Sequence, residues 1–304
     1  AERAGDARLL GFSHYYKGRT YYLSNETGKV FEEIGEALGY LEQSGQWELV
    51  AAAYNLMAIV SVGKGNLSFA IEYYLAGLKY CKKYELIEVE SRIESNLGSL
   101  YMECGQYSDA RDYLEQAHLD YKRVPEEERS LASLTAIYNN LALCYMKSGS
   151  LEKAEEYIRE LFKLDYPEYK VEHHEFRILR SIEHPFMQAS LDGELTDQDG
   201  RKGILEIKTT NILQSMQKEK WRDRVPDNYY IQVLHYLLVT GYEFIELCAH
   251  LRTDWGGEKR TTVKHYHIER AEVQNDLDML LREETKFWNY VESGRKPPLI
   301  LPEI

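Results

Sequence analysis

The stretch SLDGELTDQDGRKGILEIKTT (residues 190–210) sets an aspartate, Asp192, at the end of one apolar run and puts Glu206 and Lys208 inside the next. Side chains alternate across a strand, so half of an apolar run is hidden from water, and an ionisable group there is costly unless it binds something. HHEFRILRSI (173–182), HPFMQASLD (184–192) and GILEIKTT (203–210) have the length and composition of strands. The acidic turn Asp197-Gln198-Asp199-Gly200 between the last two is a hairpin signal. Pairing 185–192 with 203–210 brings Asp192 beside Glu206 and Lys208, which lie two residues apart and share a strand face. Two carboxylates at one point repel unless a cation lies between them, and the natural occupant is a hard, oxygen-loving ion such as Mg2+ or Mn2+. The Ile207 carbonyl can supply a third oxygen. A lysine beside such an ion can orient or deprotonate a water and stabilise charge developing on a phosphate. Asp, a spacer, then Glu-x-Lys is therefore an arrangement suited to metal-assisted phosphodiester hydrolysis; taken alone, the same spacing also describes a surface salt bridge.

The flanking sequence separates the two. HPFMQASLDGEL, ILEIKTT, VPDNYYIQVLHYLLVTG (225–241) and FWNYVESGRKPP follow one another in the order and at about the spacing of the nuclease fold family with the PD-(D/E)-x-K motif. From about residue 175 to 304 the chain resembles most closely the YqaJ-type viral recombinases, relatives of the lambda-type 5′→3′ exonuclease. That resemblance implies Asp192 and Glu206 as metal ligands, Ile207 as a carbonyl ligand and Lys208 as the catalytic lysine. Gln232 and Tyr236, in QVLHY, match the family's glutamine-x-x-x-tyrosine element. One helical turn apart, both can face the site, or both can simply pack their helix against the sheet. The implied substrate is DNA, the implied reaction exonucleolytic hydrolysis in recombination, and a ring-type homo-oligomer is an expected assembly.

Between the catalytic strand and that helix, QKEKWRDRVP (217–226) carries Lys218, Lys220, Arg222 and Arg224 around Trp221. Placed at the mouth of the site, the cations would meet backbone phosphates and the indole would stack on an unpaired base. The alternative is a solvated loop with Trp221 capping the core. His265 and His267 can share a strand face, but no third metal ligand accompanies them. Family members carry a helical portion, with a glutamate that completes the metal site, ahead of the His-Pro strand. Here the composition switches abruptly near 167–175, and Glu175 and Glu183 are the candidate substitutes. Either other helices have replaced that portion, or the chain joins two separate pieces. A second function follows from that departure: a non-catalytic repeat scaffold, or a peptide-sensing protein, with a degenerate nuclease domain.

The other helices announce themselves by a repeat. GNLSFAIEYYLAGL (65–78), GQYSDARDYLEQAH (105–118) and GSLEKAEEYIRELF (149–162) align as Gly, a large residue two later, Ala three after that and an apolar residue four further on. Ala70, Ala110 and Ala154 recur at this place, with Val30 a weaker first member. SNLGSLYMECG and NNLALCYMKSG supply the preceding helices, and their small residues let two helices approach closely. Residues 16–165 resemble tetratricopeptide-type repeats with lengthened second helices. This implies an α-solenoid that binds a protein or peptide, or one that serves only as a spacer. KRVPEEERS (122–130) reads as a turn with a solvated charge run.

The totals agree with two folded domains. The 304 residues are 44% hydrophobic and 12% aromatic, and the formal charge of −13 is spread over both halves. Residues 1–170 hold 19 Lys+Arg against 27 Asp+Glu, and residues 171–304 hold 18 against 23. Neither is a basic nucleic-acid coat, so DNA binding would run through metal and a few local cations. Cys81, Cys104, Cys144 and Cys248 form no C-x-x-C pair, which fits a reducing cytoplasm. No membrane span or secretory leader is expected, and a start at Ala1 suggests that the natural beginning lies upstream. The expected architecture is α plus α/β: a helical repeat domain over 1–168, then a nuclease-like mixed sheet flanked by helices over 169–304. Its strands are expected near 174–180, 185–191, 203–209, 243–251 and 262–268, with helices near 227–241 and 270–293.

Overall fold

A computed structural model describes residues 6–212, 219–255 and 258–298. The chain divides into two compact units, Ala1–Leu161 and Phe162–Ile304.

The first unit is built of helices: α1 (Ala7–Leu23), α2 (Thr27–Gln43), α3 (Trp47–Gly63), α4 (Leu67–Tyr84), α5 (Ile87–Glu103), α6 (Tyr107–Arg123), α7 (Leu131–Ser148) and α8 (Leu151–Asp165). Successive helices pack as hairpins, α1 on α2, α3 on α4 and α5 on α6, and Tyr138 and Tyr145 of α7 meet Tyr157 of α8. The recurring small residues lie at the helix contacts, with Val30, Ala70, Ala110 and Ala154 fully buried. Gly98 shows why size matters there. A methyl group on it would lie 2.6 Å from Cγ of Leu114 and 3.0 Å from the Ala110 carbonyl oxygen on α6. The array starts earlier than the repeat pattern, because α1 begins at Ala7, where the Asp6 carboxylate accepts the N–H groups of Arg8 and Leu9. Its first turn uses Asn25, at φ +60°, where the aligned repeats use glycine, so the signature was missing from the sequence there. The expected lengthening of the second helices is not specific to them, since α3 and α5 have 17 residues and α4 and α6 have 18 and 17. The 122–130 segment closes α6 with a short 3-10 turn at Glu126–Glu128. No described helix is long and apolar enough to cross a membrane.

The second unit holds a five-stranded sheet of order β1-β4-β5-β6-β7 and a separate β2-β3 pair. The strands are β1 (Lys170–Glu172), β2 (Leu179–Arg180), β3 (Gln188–Ala189), β4 (Gly193–Thr196), β5 (Lys202–Ile212), β6 (Phe244–Trp255) and β7 (Glu258–Glu269). Helix α9 (Asp227–Thr240) connects β5 to its parallel neighbour β6, and α10 (Gln274–Glu292) follows β7. The hairpin turn forms where the sequence places it, with Gly200 at φ +82° and the Asp197 carboxylate capping the Asp199 and Arg201 amides. The strand leading into it differs, however. The expected strand 185–191 is cut short to β3, which pairs with β2, and a new strand, β4, pairs Gly193–Thr196 with Lys202–Leu205. Glu194, which lies beyond the expected strand 185–191, is tolerated on β4 because Arg177 and the Tyr242 hydroxyl bond its carboxylate. Likewise the expected strand 174–180 is strand only at β2; residues 173–178 are exposed and outside any strand, and β1 lies ahead of them.

Alternation along β5 and β6 gives the sheet two distinct faces. Ile204 and Ile212 of β5 share a core with Ile245, Leu247, Ala249 and Leu251 of β6 and with Val233, Leu234 and Leu237 of α9. The opposite face carries Phe244, whose ring lies against Tyr169 and His267. It also covers Gly203, where any Cβ would fall 2.3 Å from the ring. His250 points to this second face by the same alternation and is 6% exposed.

Two outcomes follow for stability. Gly98→Val should destabilise the protein by about 1–3 kcal/mol through overpacking at the α5–α6 contact, read by urea unfolding. Burial, with His265 adding to it, lowers the His250 pKa from 6.5 to about 4. The unfolded chain therefore takes up a proton below about pH 6.5 that the folded chain refuses until near pH 4. Stability is untouched above that window and falls through it, by on the order of 3 kcal/mol at its acid end. His250→Leu should flatten the unfolding free energy between pH 6.5 and 4; an unchanged slope assigns the acid sensitivity elsewhere.

Candidate active site

β5 runs past the end of β4, whose last pairing is Gly193 with Leu205. An amide beyond that point has no strand partner on this edge and needs another acceptor. Asp192, the residue just before β4, provides it: its Oδ2 accepts the Ile207 N–H at 2.7 Å. N–H and C=O of one strand residue face the same edge, so the Ile207 carbonyl belongs to the side on which Asp192 sits. Ile207 itself is flanked by Glu206 and Lys208, whose side chains take the α9 face shared by Ile204 and Ile212.

On that face the environment is nearly dry. Glu206 is 2% exposed, and the Lys208 side chain 16%. The Lys208 ammonium donates to Oε1 of Glu206. Burial works against the lysine's charge, but the Glu206 carboxylate, with Asp192 and Tyr236 behind it, outweighs burial and raises the pKa above the ordinary lysine value. From α9, Gln232 donates its Nε2–H to the Tyr236 hydroxyl at 2.8 Å. Burial raises the Tyr236 pKa, the Gln232 bond opposes this, and Glu206, Lys208 and Asp192 all act on the phenol. Asp192, Glu206, Lys208 and Tyr236 thus lie within electrostatic reach of one another, with Gln232 bonded to the last.

The basic segment divides. Lys218 lies outside the described residues. Lys220, Arg222 and Arg224 are exposed, with Arg222 paired to Glu219 and Arg224 near Asp227. Trp221 is 2% exposed and belongs to the core with Val225 and Leu234, so the expectation of an indole platform for a base is corrected to the core-capping alternative. An apolar ring with a hydrogen-bonding tail of backbone gains more from the core than from water. Its ring rests on Tyr229, at 5.3 Å between centroids, and the Lys208 ammonium lies 5.1 Å from the centre of the Tyr229 ring. Tyr229 is the residue that sequence reasoning missed. Its only signal is a position in the first turn of α9, just after the Pro226-Asp227 helix start. His265 and His267 are engaged elsewhere, His265 near Cys248 and His267 between Glu246 and Glu269. Glu175 and Glu183 are exposed in the segments between the short strands.

The donor set suits a hard divalent cation: a carboxylate from just before β4, another from within β5, and the backbone carbonyl of Ile207. Among the described residues, three carboxylates close enough to hold an ion together are found in the first unit, at Glu90, Glu94 and Asp120, and not around Asp192 and Glu206.

Comparison with known proteins assigns each part of the chain a likeness. Residues 147–243 match the YqaJ-like viral recombinase domain, and residues 89–165 match a tetratricopeptide repeat. Among curated proteins, the uncharacterized protein YqaJ of Bacillus subtilis (strain 168) is 34% identical over 124 residues, 40% of this chain and 35% of that protein. Outer dynein arm-docking complex subunit 4 of Xenopus laevis is 24% identical over 140 residues, 43% of this chain and 25% of that protein. The chain thus spans about a third and a quarter of the lengths of these relatives. Solved structures with likeness include BtubC (BKLC) from P. vanneervenii, at 22% identity and TM-score 0.49, covering 53% of this chain and 65% of that one. Another is PilF of Pseudomonas aeruginosa, at 20% identity and TM-score 0.42, covering 52% and 63%. Both resemblances read from the sequence are therefore present, the repeats and the YqaJ-like domain.

The contact between Lys208 and Tyr229 is measurable. A double-mutant cycle pairing Lys208→Met with Tyr229→Leu should return a coupling of about 1–2 kcal/mol in unfolding free energy, as a desolvated cation over an aromatic face does. Tyr229→Phe should keep it; additivity within error removes Tyr229 from the site.

Proposed function

We propose that the second unit is a metal-dependent deoxyribonuclease, an exonuclease acting in recombination, and that the helical repeats bind a protein or peptide partner. The observation that carries the reading is the hydrogen bond from the Ile207 amide to Asp192, which ties that carboxylate to the backbone of the residue between Glu206 and Lys208. The likeness of residues 147–243 to the YqaJ-like recombinase domain supports it.

In this reading Asp192, Glu206 and the Ile207 carbonyl hold Mg2+ or Mn2+. Such an ion, when bound, supplies Lewis-acid polarisation of a phosphoryl oxygen and a water made acidic enough to attack. The chain's own groups do the remainder. Asp192 is oriented by the amide it accepts, so its second oxygen is presented with little freedom. The Lys208 ammonium, steered by Glu206 and the Tyr229 ring, offers positive charge to a phosphodiester where negative charge grows during hydrolysis. Gln232 and Tyr236 wall the site from α9 and supply donors to a phosphate or to Glu206. Lys220, Arg222 and Arg224, on the surface, supply counter-charge to the DNA backbone that this acidic chain otherwise lacks.

The test is degradation of linear duplex DNA in Mg2+. Lys208→Ala should lower the rate by about a hundredfold or more, the cost of removing a preorganised charge from a transition state, with the thermal melt of the variant run in parallel. Equal rates in the two proteins overturn the proposal.

A second reading is favoured by the site's two carboxylates, with no third beside them among the described residues: a non-catalytic module that docks on DNA or on a partner. Calorimetry with Mn2+ separates the two, because the nuclease reading requires binding that Asp192→Asn and Glu206→Gln abolish.

A further inference from the structure

The repeat unit contains a cluster that no part of the nuclease reading uses. Glu90 and Glu94 lie one turn apart on α5, and Asp120 faces them from α6. One carboxylate oxygen from each lies within 4.8 Å of the other two, and all three residues are buried. Carboxylates avoid such company: each loses hydration on burial, and each repels the others.

The known partners are too few to balance three charges. Asp120 receives Nε2–H of Gln116 on Oδ2 at 2.8 Å and the Arg123 guanidinium on Oδ1 at 2.7 Å. Lys82 acts on Glu90 and Glu94 from a distance and Arg123 on Glu90, and no shorter cationic contact to either glutamate is found among the described residues. Glu94 is the telling member. It is 2% exposed, and its Oε2 is buried with no hydrogen-bond partner. A buried oxygen of this kind loses its hydration with nothing in return unless something meets it. Ser91, one turn before Ser95 and on the same helix, bonds instead to the Ala117 carbonyl and ties α5 to α6 beside the cluster.

We propose that Glu90, Glu94 and Asp120 form a Ca2+ site that pins α5 to α6. A Ca2+ ion takes oxygen ligands at 2.3–2.6 Å in irregular geometry, so two oxygens bound to one ion can be separated by up to about 5 Å. The cluster falls within that span, and its chemistry is all carboxylate, with neither sulfur nor imidazole to favour a softer metal. The ion meets the orphaned Glu94 oxygen and turns mutual repulsion into shared attraction. Its role is structural: it braces the third hairpin of the array, so the rigidity of any partner-binding surface on these repeats depends on Ca2+. The site is independent of the nuclease reading and stands if that reading fails.

The rival occupant is a proton. Burial, the charges of Asp120 and Glu90, and a hydrogen bond between the Glu94 and Asp120 carboxyls push the Glu94 carboxyl up to about 8, so a neutral acid shared with Asp120 is the alternative. The experiment uses the full chain, stripped with EDTA, in Asp192→Asn background to silence the second unit. Calorimetry with CaCl2 and thermal melts with and without Ca2+ are expected to show one binding event and a raised melting temperature. Both should disappear in Asp192→Asn/Glu94→Gln and in Asp192→Asn/Asp120→Asn. Glutamine keeps the shape and removes a like charge, so the variant in EDTA should melt no lower than its parent. No Ca2+ binding in the Asp192→Asn protein, together with an infrared carboxylic-acid band that Glu94→Gln removes, assigns the proton and overturns the site. Ca2+ binding that survives both cluster variants also overturns it. If either cluster variant fails to fold, the Asp192→Asn protein alone decides, since an unshifted melt in Ca2+ rejects the proposal.

Discussion

The hydrogen bond between the Asp192 carboxylate and the Ile207 amide is the constraint on which the second unit's site depends. β4 is only four residues long, so β5 outruns it and leaves backbone groups unpaired on that edge. Such groups are stable only with a substitute acceptor. A carboxylate is a strong one, and Asp192 is only half-buried, so it keeps part of the hydration that a buried charge would lose. The consequence is chemical: the acceptor that completes the sheet also brings negative charge to the point where β5 presents Glu206 and Lys208. A longer β4 would satisfy Ile207 with backbone and remove the reason for the acid to be there.

Around that bond the packing is layered outward. Trp221 backs Tyr229, Tyr229 backs Lys208, and Lys208 reaches Glu206. Each contact fixes the next by restricting a rotamer. An ammonium on a flexible four-carbon stem becomes a directed charge only when its stem and head are both held. The buried tryptophan therefore bears on where the Lys208 charge points, through the ring of Tyr229.

How much of this the sequence discloses depends on the range of the signal. The repeat of Ala70, Ala110 and Ala154 is legible because helix–helix contact demands a small residue at a fixed place in every hairpin. Asp192, Glu206 and Lys208 are legible because charged residues stand out against apolar strands. The division of 185–196 into β3 and β4 is not, since both pieces are short and a charged residue such as Glu194 fits a buried strand only because Arg177 and Tyr242 bond it. Trp221 is ambiguous in sequence because a ring amid cations fits an interface as well as a core. Only burial decides. Glu90, Glu94 and Asp120 are the least visible: glutamates one turn apart on a helix are ordinary surface chemistry, and the aspartate that converts them into a buried cluster comes from the facing helix.

The Glu206–Lys208 pair raises a last question of economy in the fold. It sits among Ile204, Leu247, Ala249 and Val233, where an apolar pair of similar volume would pack with no desolvation to offset. Buried ion pairs of this kind contribute little net stability, and replacing both partners by hydrocarbon is commonly neutral or stabilising. Packing alone therefore gives no reason for a carboxylate and an ammonium on the inner face of β5. In the nuclease reading proposed above the pair is a poised one, with each charge holding the other in place until a cation competes for the carboxylate and a phosphate for the ammonium. Under the proposed nuclease reading, lysine and glutamate at this depth are groups stored against one another for a ligand of mixed charge, which a metal-bound phosphodiester is.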